Sequence, residues 1–125
     1  MSDTRNLKKT VLIVDNSFLI IDRLIGMLKE AASVEIIFTA TNFNEAVDIL
    51  KINKADIVLL DIQLPGENGI ELLKYIMKTY SEIKVVMLSN LVSKYYQQLC
   101  KKEGAVNFID KSKDFDLIPE IVAAL

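Results

Sequence analysis

The chain has 125 residues, with 15 Lys and Arg against 17 Asp and Glu, one Cys and no His. That length fits one domain of about 100–200 residues, so the expectation is a single domain over residues 1–125 with no separate output domain. A hydrophobic share of 51% supplies a core and excludes a disordered chain. Zero His removes His-based zinc sites, Ser-His-Asp and Cys-His nucleophile pairs, and any phosphohistidine on this chain. A formal net charge of -2 gives no general attraction to nucleic acid or anionic membrane. A lone cysteine cannot close an internal disulfide, which makes a cytoplasmic protein the default. The first nine residues are polar with both charge signs, unlike a signal peptide, and no apolar run nears the roughly 20 residues that span a bilayer.

Short apolar runs alternate with longer amphipathic segments. Thr10–Val14, Glu35–Ala40, Ile57–Leu60, Lys84–Leu88 and Val106–Ile109 are mostly continuous and rich in Val and Ile, as strands buried on both faces of a parallel sheet are. Helical spacing falls between them: Phe18, Ile21, Ile25 and Leu28; Val47 and Leu50; Ile70, Leu73 and Met77; Val92, Tyr96 and Cys100. Asn42 followed by Glu45 reads as a capping box, and Asn68 and Ser93 as further helix starts. Gly104 suits a helix C-cap. Pro119 belongs in the first turn of the last helix, which places its cap near Asp114–Asp116. Five strand-helix units with short loops give an α/β domain: an open parallel sheet with helices on both faces.

Ligands of such sheets bind at the carboxyl ends of the strands. The first strand ends in Asp15-Asn16, the third in Asp61, the fourth in Ser89-Asn90, and the fifth leads into Asp110-Lys111. Taken singly, Asp15, Asn16, Ser89 and Asn90 could cap helices, and Lys111 could be a solvated lysine. Asp61 directly follows Ile57-Val58-Leu59-Leu60, and a carboxylate at the end of a buried run needs a partner. Asp15 and Asp61 at one edge would repel, a cost that a hard divalent cation such as magnesium relieves through oxygen ligands. Ser89 could donate to a phosphate oxygen, Lys111 could neutralise another, and Asp61 could attack phosphorus in line.

These residues carry a resemblance along nearly the whole chain. Val14-Asp15-Asn16, Asp61 with Pro65 and Gly69 in Asp-Ile-Gln-Leu-Pro-Gly-Glu-Asn-Gly, Leu88-Ser89-Asn90, and Gly104-Ala105 through Phe108 to Lys111 resemble a response-regulator receiver domain of the single-domain type. The resemblance implies a flavodoxin-like, doubly wound (βα)5 fold with strand order 2-1-3-4-5. It implies that Asp61 accepts a phosphoryl group from a sensor histidine kinase or histidine phosphotransfer protein in a magnesium-dependent reaction. Asp15, Asn16, Asp61 and the backbone carbonyl of Gln63 would hold Mg2+, and Ser89 and Lys111 would contact the phosphoryl group. Ser89 and Phe108 would form the switch that alters the face of helix 4, strand 5 and helix 5. Such a domain promotes its own phosphorylation and dephosphorylation rather than acting as a conventional turnover enzyme.

This chain departs from that pattern in two places. Asn16 stands where the family usually has a second acid, so weaker magnesium binding is expected. Ser112 follows the lysine where many receivers have a proline with a cis bond; here a trans bond is the default, because cis without proline costs about 2.5–4 kcal/mol.

Asn16 also supports the alternative of an interaction module that works without phosphorylation. A phosphohydrolase of another class would want an acid at Gln63, and a flavin carrier a Gly-, Ser- or Thr-rich loop after the first strand. Tyr95 is expected outward, with Tyr96 inward and Cys100 a buried small hydrophobe. Lys101-Lys102 reads as a solvated helix end.

Overall fold

The structure is a computed structural model that describes residues 8–90 and 93–125. The polar segment before residue 8, and Val92 from the fourth helical pattern, lie outside the described residues. The strands are β1 (Lys9–Val14), β2 (Val34–Ala40), β3 (Ile57–Asp61), β4 (Lys84–Ser89) and β5 (Asn107–Asp110). The helices are α1 (Phe18–Lys29), α2 (Phe43–Ile52), α3 (Gly69–Thr79), α4 (Lys94–Lys102) and α5 (Ile118–Ala124). All strand pairs are parallel, in the order β2-β1-β3-β4-β5. This is the flavodoxin-like order the resemblance implies.

The continuous apolar strands feed two separate cores. Val11 and Ile13 of β1 face α1 and α5, where they meet Ile21, Leu24, Ile118 and Val122. Leu12 and Val14 face the other way, toward Ala46, Leu50, Leu73 and Ile76 of α2 and α3. Alternate residues of a strand point to opposite faces, so both halves of the apolar run are used. Each fully buried Val, Leu or Ile contributes about 1.5–3 kcal/mol, set against the entropy of ordering the chain.

That burial fixes where the charges fall. All five residues of β3 are buried, and Asp61 is the last of them. Asp61 pairs in register with Leu88, and Leu60 with Val14, so Asp15 and Ser89 each stand just past an apolar partner at the same sheet edge. A one-residue slip of β3 would drive the Asp61 carboxylate into the core or pull Leu60 out of it, and both outcomes are costly.

Helix starts follow the cap residues. Ser17, Asn42, Asn68 and Ser93 each accept from the backbone N–H three residues on, which satisfies a donor left open by the first turn. The capping box at Asn42 differs in one detail. Glu45 reaches back to the N–H and hydroxyl of Thr41, at 2.7 and 2.9 Å, rather than to Asn42. Gly104 follows α4 with φ +108°, the left-handed conformation that glycine adopts without strain.

Two expectations need correction. Phe18 opens α1 with 73% of its surface exposed; the buried stripe is Ile21, Leu24 and Leu28. The cap of α5 is Leu117, not a residue of Asp114–Asp116. A 3-10 turn, Phe115–Leu117, buries Phe115 first and follows Asp114, whose side chain makes no cap hydrogen bond, with Pro119 in the opening turn of α5 as expected.

Candidate functional site

Four loops at the carboxyl edge build one open cleft of about 440 Å³, lined by Asp15, Asn16, Ser17, Ile20, Asp61, Gln63, Asn90 and Lys111. β1 delivers Asp15, which is fully buried and whose backbone N–H donates to the Ala40 carbonyl at 3.0 Å. Its Oδ1 accepts from the Ser17 N–H at 2.9 Å, so the residue that caps α1 also orients the carboxylate. β3 delivers Asp61, only 4% exposed, whose Oδ1 accepts from the Gln63 N–H at 3.2 Å.

Lys111 enters from the far side of the sheet. Its backbone N–H donates to the Ser89 carbonyl at 3.0 Å, extending the β4-β5 ladder by one rung. Its Nζ lies 2.6 Å from Asp15 Oδ2 and 3.3 Å from Asp61 Oδ1. One ammonium thus sits between two carboxylates, with its side chain 8% exposed. The three groups together carry a formal charge of −1, so the cleft keeps a net attraction for cations.

Burial pushes the Asp61 carboxyl above its ordinary range; Lys111 pulls it back down and the neighbouring Asp15 adds to the rise. Two buried carboxylates could not share this edge cheaply without the lysine, because an uncompensated buried charge costs several kcal/mol in order of magnitude.

The other expected residues fall in three groups. Asn16 and Gln63 line the cleft and are exposed. Among the described residues, no three acidic, His or Cys side chains cluster as a metal site. Ser89 is fully buried at the end of β4, behind the cleft rather than on its wall. Phe108 lies outside the cleft, half-buried on β5 against the core of α2, α3 and α4, and lines a groove with Gln97, Cys100 and Val106.

Ser17 and Ile20 also line the cleft and are the residues that sequence reasoning missed; a Ser two residues after Asp15, at the start of the first amphipathic pattern, could have flagged both. Tyr95 is 69% exposed and Tyr96 half-buried, as expected. Cys100 is buried, and burial pushes its thiol up to about 11, so it is no nucleophile at neutral pH. Among the described residues every peptide bond is trans, Lys111–Ser112 included.

Gly69 explains why this edge tolerates no side chain at the start of α3. A Cβ there would stand 2.0 Å from the Asp61 carbonyl oxygen and 2.8 Å from Ile62 Cα. The bare backbone instead closes the loop, with the Gly69 N–H donating to the Ile62 carbonyl at 2.6 Å.

Comparison with known proteins follows this geometry. The model of the response regulator receiver domain family matches residues 11–123. A protein-glutamate methylesterase/protein-glutamine glutaminase of Clostridium acetobutylicum is 35% identical over 113 residues, 88% of this chain and 33% of that protein. The transcriptional regulatory protein LnrK of Bacillus subtilis is 30% identical across 90% of this chain and 51% of its own length. The chain therefore spans about a third to a half of these curated relatives. The response regulator domain of Thermotoga maritima CheB superposes with a TM-score of 0.82 at 30% identity, covering 94% of this chain and 92% of that one.

Proposed function

The chain belongs to the response-regulator receiver family, and on that premise we propose that Asp61 is a phosphoacceptor, fed by a phosphohistidine on a partner protein. The contact of one buried lysine with both Asp15 and Asp61 carries this reading, because it fixes a cation beside the carboxylate that would take the phosphoryl group. With no His on the chain, the donor comes in trans from a sensor histidine kinase or a phosphotransfer protein. No described helix is long and apolar enough to cross a membrane.

An Asp61 carboxylate oxygen attacks phosphorus in line, forming the O–P bond of an acyl phosphate. The P–N bond to the donor imidazole breaks, and its electron pair stays on the imidazole nitrogen. Lys111 balances the added negative charge as a point cation at a fixed place, which lowers the cost of the crowded transition state. Asp15, held by the Ser17 N–H, keeps Lys111 within reach throughout. Ser89, at the end of β4, would donate its hydroxyl to a phosphoryl oxygen, and Phe108 on the neighbouring strand would turn inward with it as the switch.

The donor set suits a hard divalent ion: Asp15 and Asp61 supply carboxylate oxygens and Asn16 an amide oxygen, with the Gln63 backbone beside them. Bound Mg2+ would supply charge neutralisation for the phosphoryl oxygens. The missing third acid favours a second reading, in which the domain binds its partner whatever the state of Asp61. The output surface in either case is the face of α4, β5 and α5.

Incubation with magnesium and acetyl phosphate tests the primary reading by intact mass. The expected result is one phosphoryl adduct in the native chain and none in Asp61→Ala. An adduct that persists in Asp61→Ala removes Asp61 from the role.

A further inference from the structure

The segment after Lys111 has to turn sharply, and Asp110 governs that turn. Its Oδ1 accepts two bonds from Ser112, one from the backbone N–H at 2.9 Å and one from the hydroxyl at 2.7 Å. Its backbone carbonyl accepts two more, from the N–H of Lys113 at 3.2 Å and of Asp114 at 2.8 Å. All four donors lie beyond Lys111 in sequence, so Lys111 stands at the apex of a turn whose two legs Asp110 ties together.

The ammonium of Lys111 is held by its ion pairs with Asp15 and Asp61, and the backbone on either side of the apex has one anchor each way. The near leg ends at the Lys111 N–H on the Ser89 carbonyl. The far leg leads to Phe115, buried and covered by the Arg23 guanidinium 4.2 Å from its ring centroid. Between the two anchors Ser112 and Lys113 are exposed. Ser112 also has a rotatable φ, unlike a proline at that place, so the turn is set by hydrogen bonds rather than by covalent geometry.

We infer that Asp110 and Ser112 are positioning residues for Lys111: their paired hydrogen bonds fix the turn that aims its ammonium between Asp15 and Asp61. The inference concerns the cleft as read under the proposed function, and its primary test does not depend on phosphorylation.

That test is mild amine acylation of the intact chain, read by peptide mass as labelling of Lys111 relative to the exposed Lys101. In Asp110→Ala, Lys111 labelling rises about three- to tenfold, the factor expected when one or two such bonds are lost. Ser112→Ala raises it less, since the backbone N–H still donates. Asp110→Asn, which loses the charge and keeps the acceptor oxygen, labels like the native chain. Equal labelling in Asp110→Ala and the native chain overturns the inference, as does Asp110→Asn labelling as fast as Asp110→Ala.

The second readout is the rate of phosphorylation by acetyl phosphate. Asp110→Ala slows it by about threefold in the native background and adds nothing in a Lys111→Ala background. An equal slowing in both backgrounds means that Asp110 does not act through Lys111. A native chain that takes no phosphoryl group contradicts the reading of Asp61, while the labelling still decides the role of Asp110.

Discussion

The two ends of the sheet both carry a cleft, and they differ in what lines it. At the amino edge a cavity of about 270 Å³ is walled by Leu50, Ile52, Ala55, Tyr80 and Ile83, with Lys51, Lys54 and Glu82 at its rim. At the carboxyl edge the cleft holds two buried carboxylates bridged by a lysine. The amino edge is the more apolar, the usual mark of a small-molecule pocket, yet none of its titratable groups is buried. Chemistry sits where desolvated charges converge, because only there can a protein group stabilise a developing charge strongly. Parallel strands make the difference: every strand enters at one edge and delivers its last residue to the other.

Substitutions at the carboxyl edge sharpen the comparison most. Asp61→Ala abolishes the phosphoryl adduct outright. Lys111→Met leaves Asp15 and Asp61 buried without their cation, a change that destabilises by about 3–5 kcal/mol. Chemical denaturation reads that loss, and a midpoint within error of the native one would mean that the ion pairs carry no weight.

Gly69→Ala comes next. Its Cβ cannot coexist with the Asp61 carbonyl, so the loop shifts at a cost of about 1–3 kcal/mol and phosphorylation slows with it. Gly26→Ala is the matched control: in mid-α1, with open space around its Cβ, it stabilises by about 0.5–1 kcal/mol. Equal effects at the two glycines would deny the carboxyl edge its special tightness.

A smaller effect depends on pH. The folded state holds Asp61 with a raised pKa, so it binds the proton more readily than the unfolded chain does. The ionised carboxylate therefore costs stability as pH rises from the ordinary aspartate range through the raised value. Asp61→Asn removes that cost: its melting temperature exceeds the native one at neutral pH, and the gap closes in acid. A gap that widens in acid reverses the sign of the account. Smallest of all, Ile52→Ser at the amino edge leaves the phosphorylation rate unchanged, and a severalfold loss there would break the contrast between the two ends.

Much of this was legible in the sequence, for physical reasons. Ile57–Leu60 reads as a strand because no alternation interrupts it, and a strand buried on both faces needs none. Asp61 reads as functional because it ends that run. Lys111 does not declare its role alone: its ion pairs span 96 residues to Asp15 and 50 to Asp61, distances no local pattern reports. Phe18 misleads because helical spacing fixes a stripe's phase but not at which residue of the helix burial begins. The 3-10 turn at Phe115 was hidden because one buried aromatic, not a cap residue, sets it. The tie between Asp110 and Ser112 was hidden for a related reason, since hydrogen bonds over two residues leave no mark in hydrophobic periodicity.

The most direct test of the central claim is amide-resolved NMR of the chain titrated with magnesium and beryllofluoride, an uncleavable mimic of the phosphoryl group. The account predicts shifts concentrated at residues 15–17, 61–63, 89–90 and 108–112, with residues 50–55 and 80–83 unmoved. Shifts gathered at the amino edge, or no shift at saturating magnesium and beryllofluoride, would contradict it.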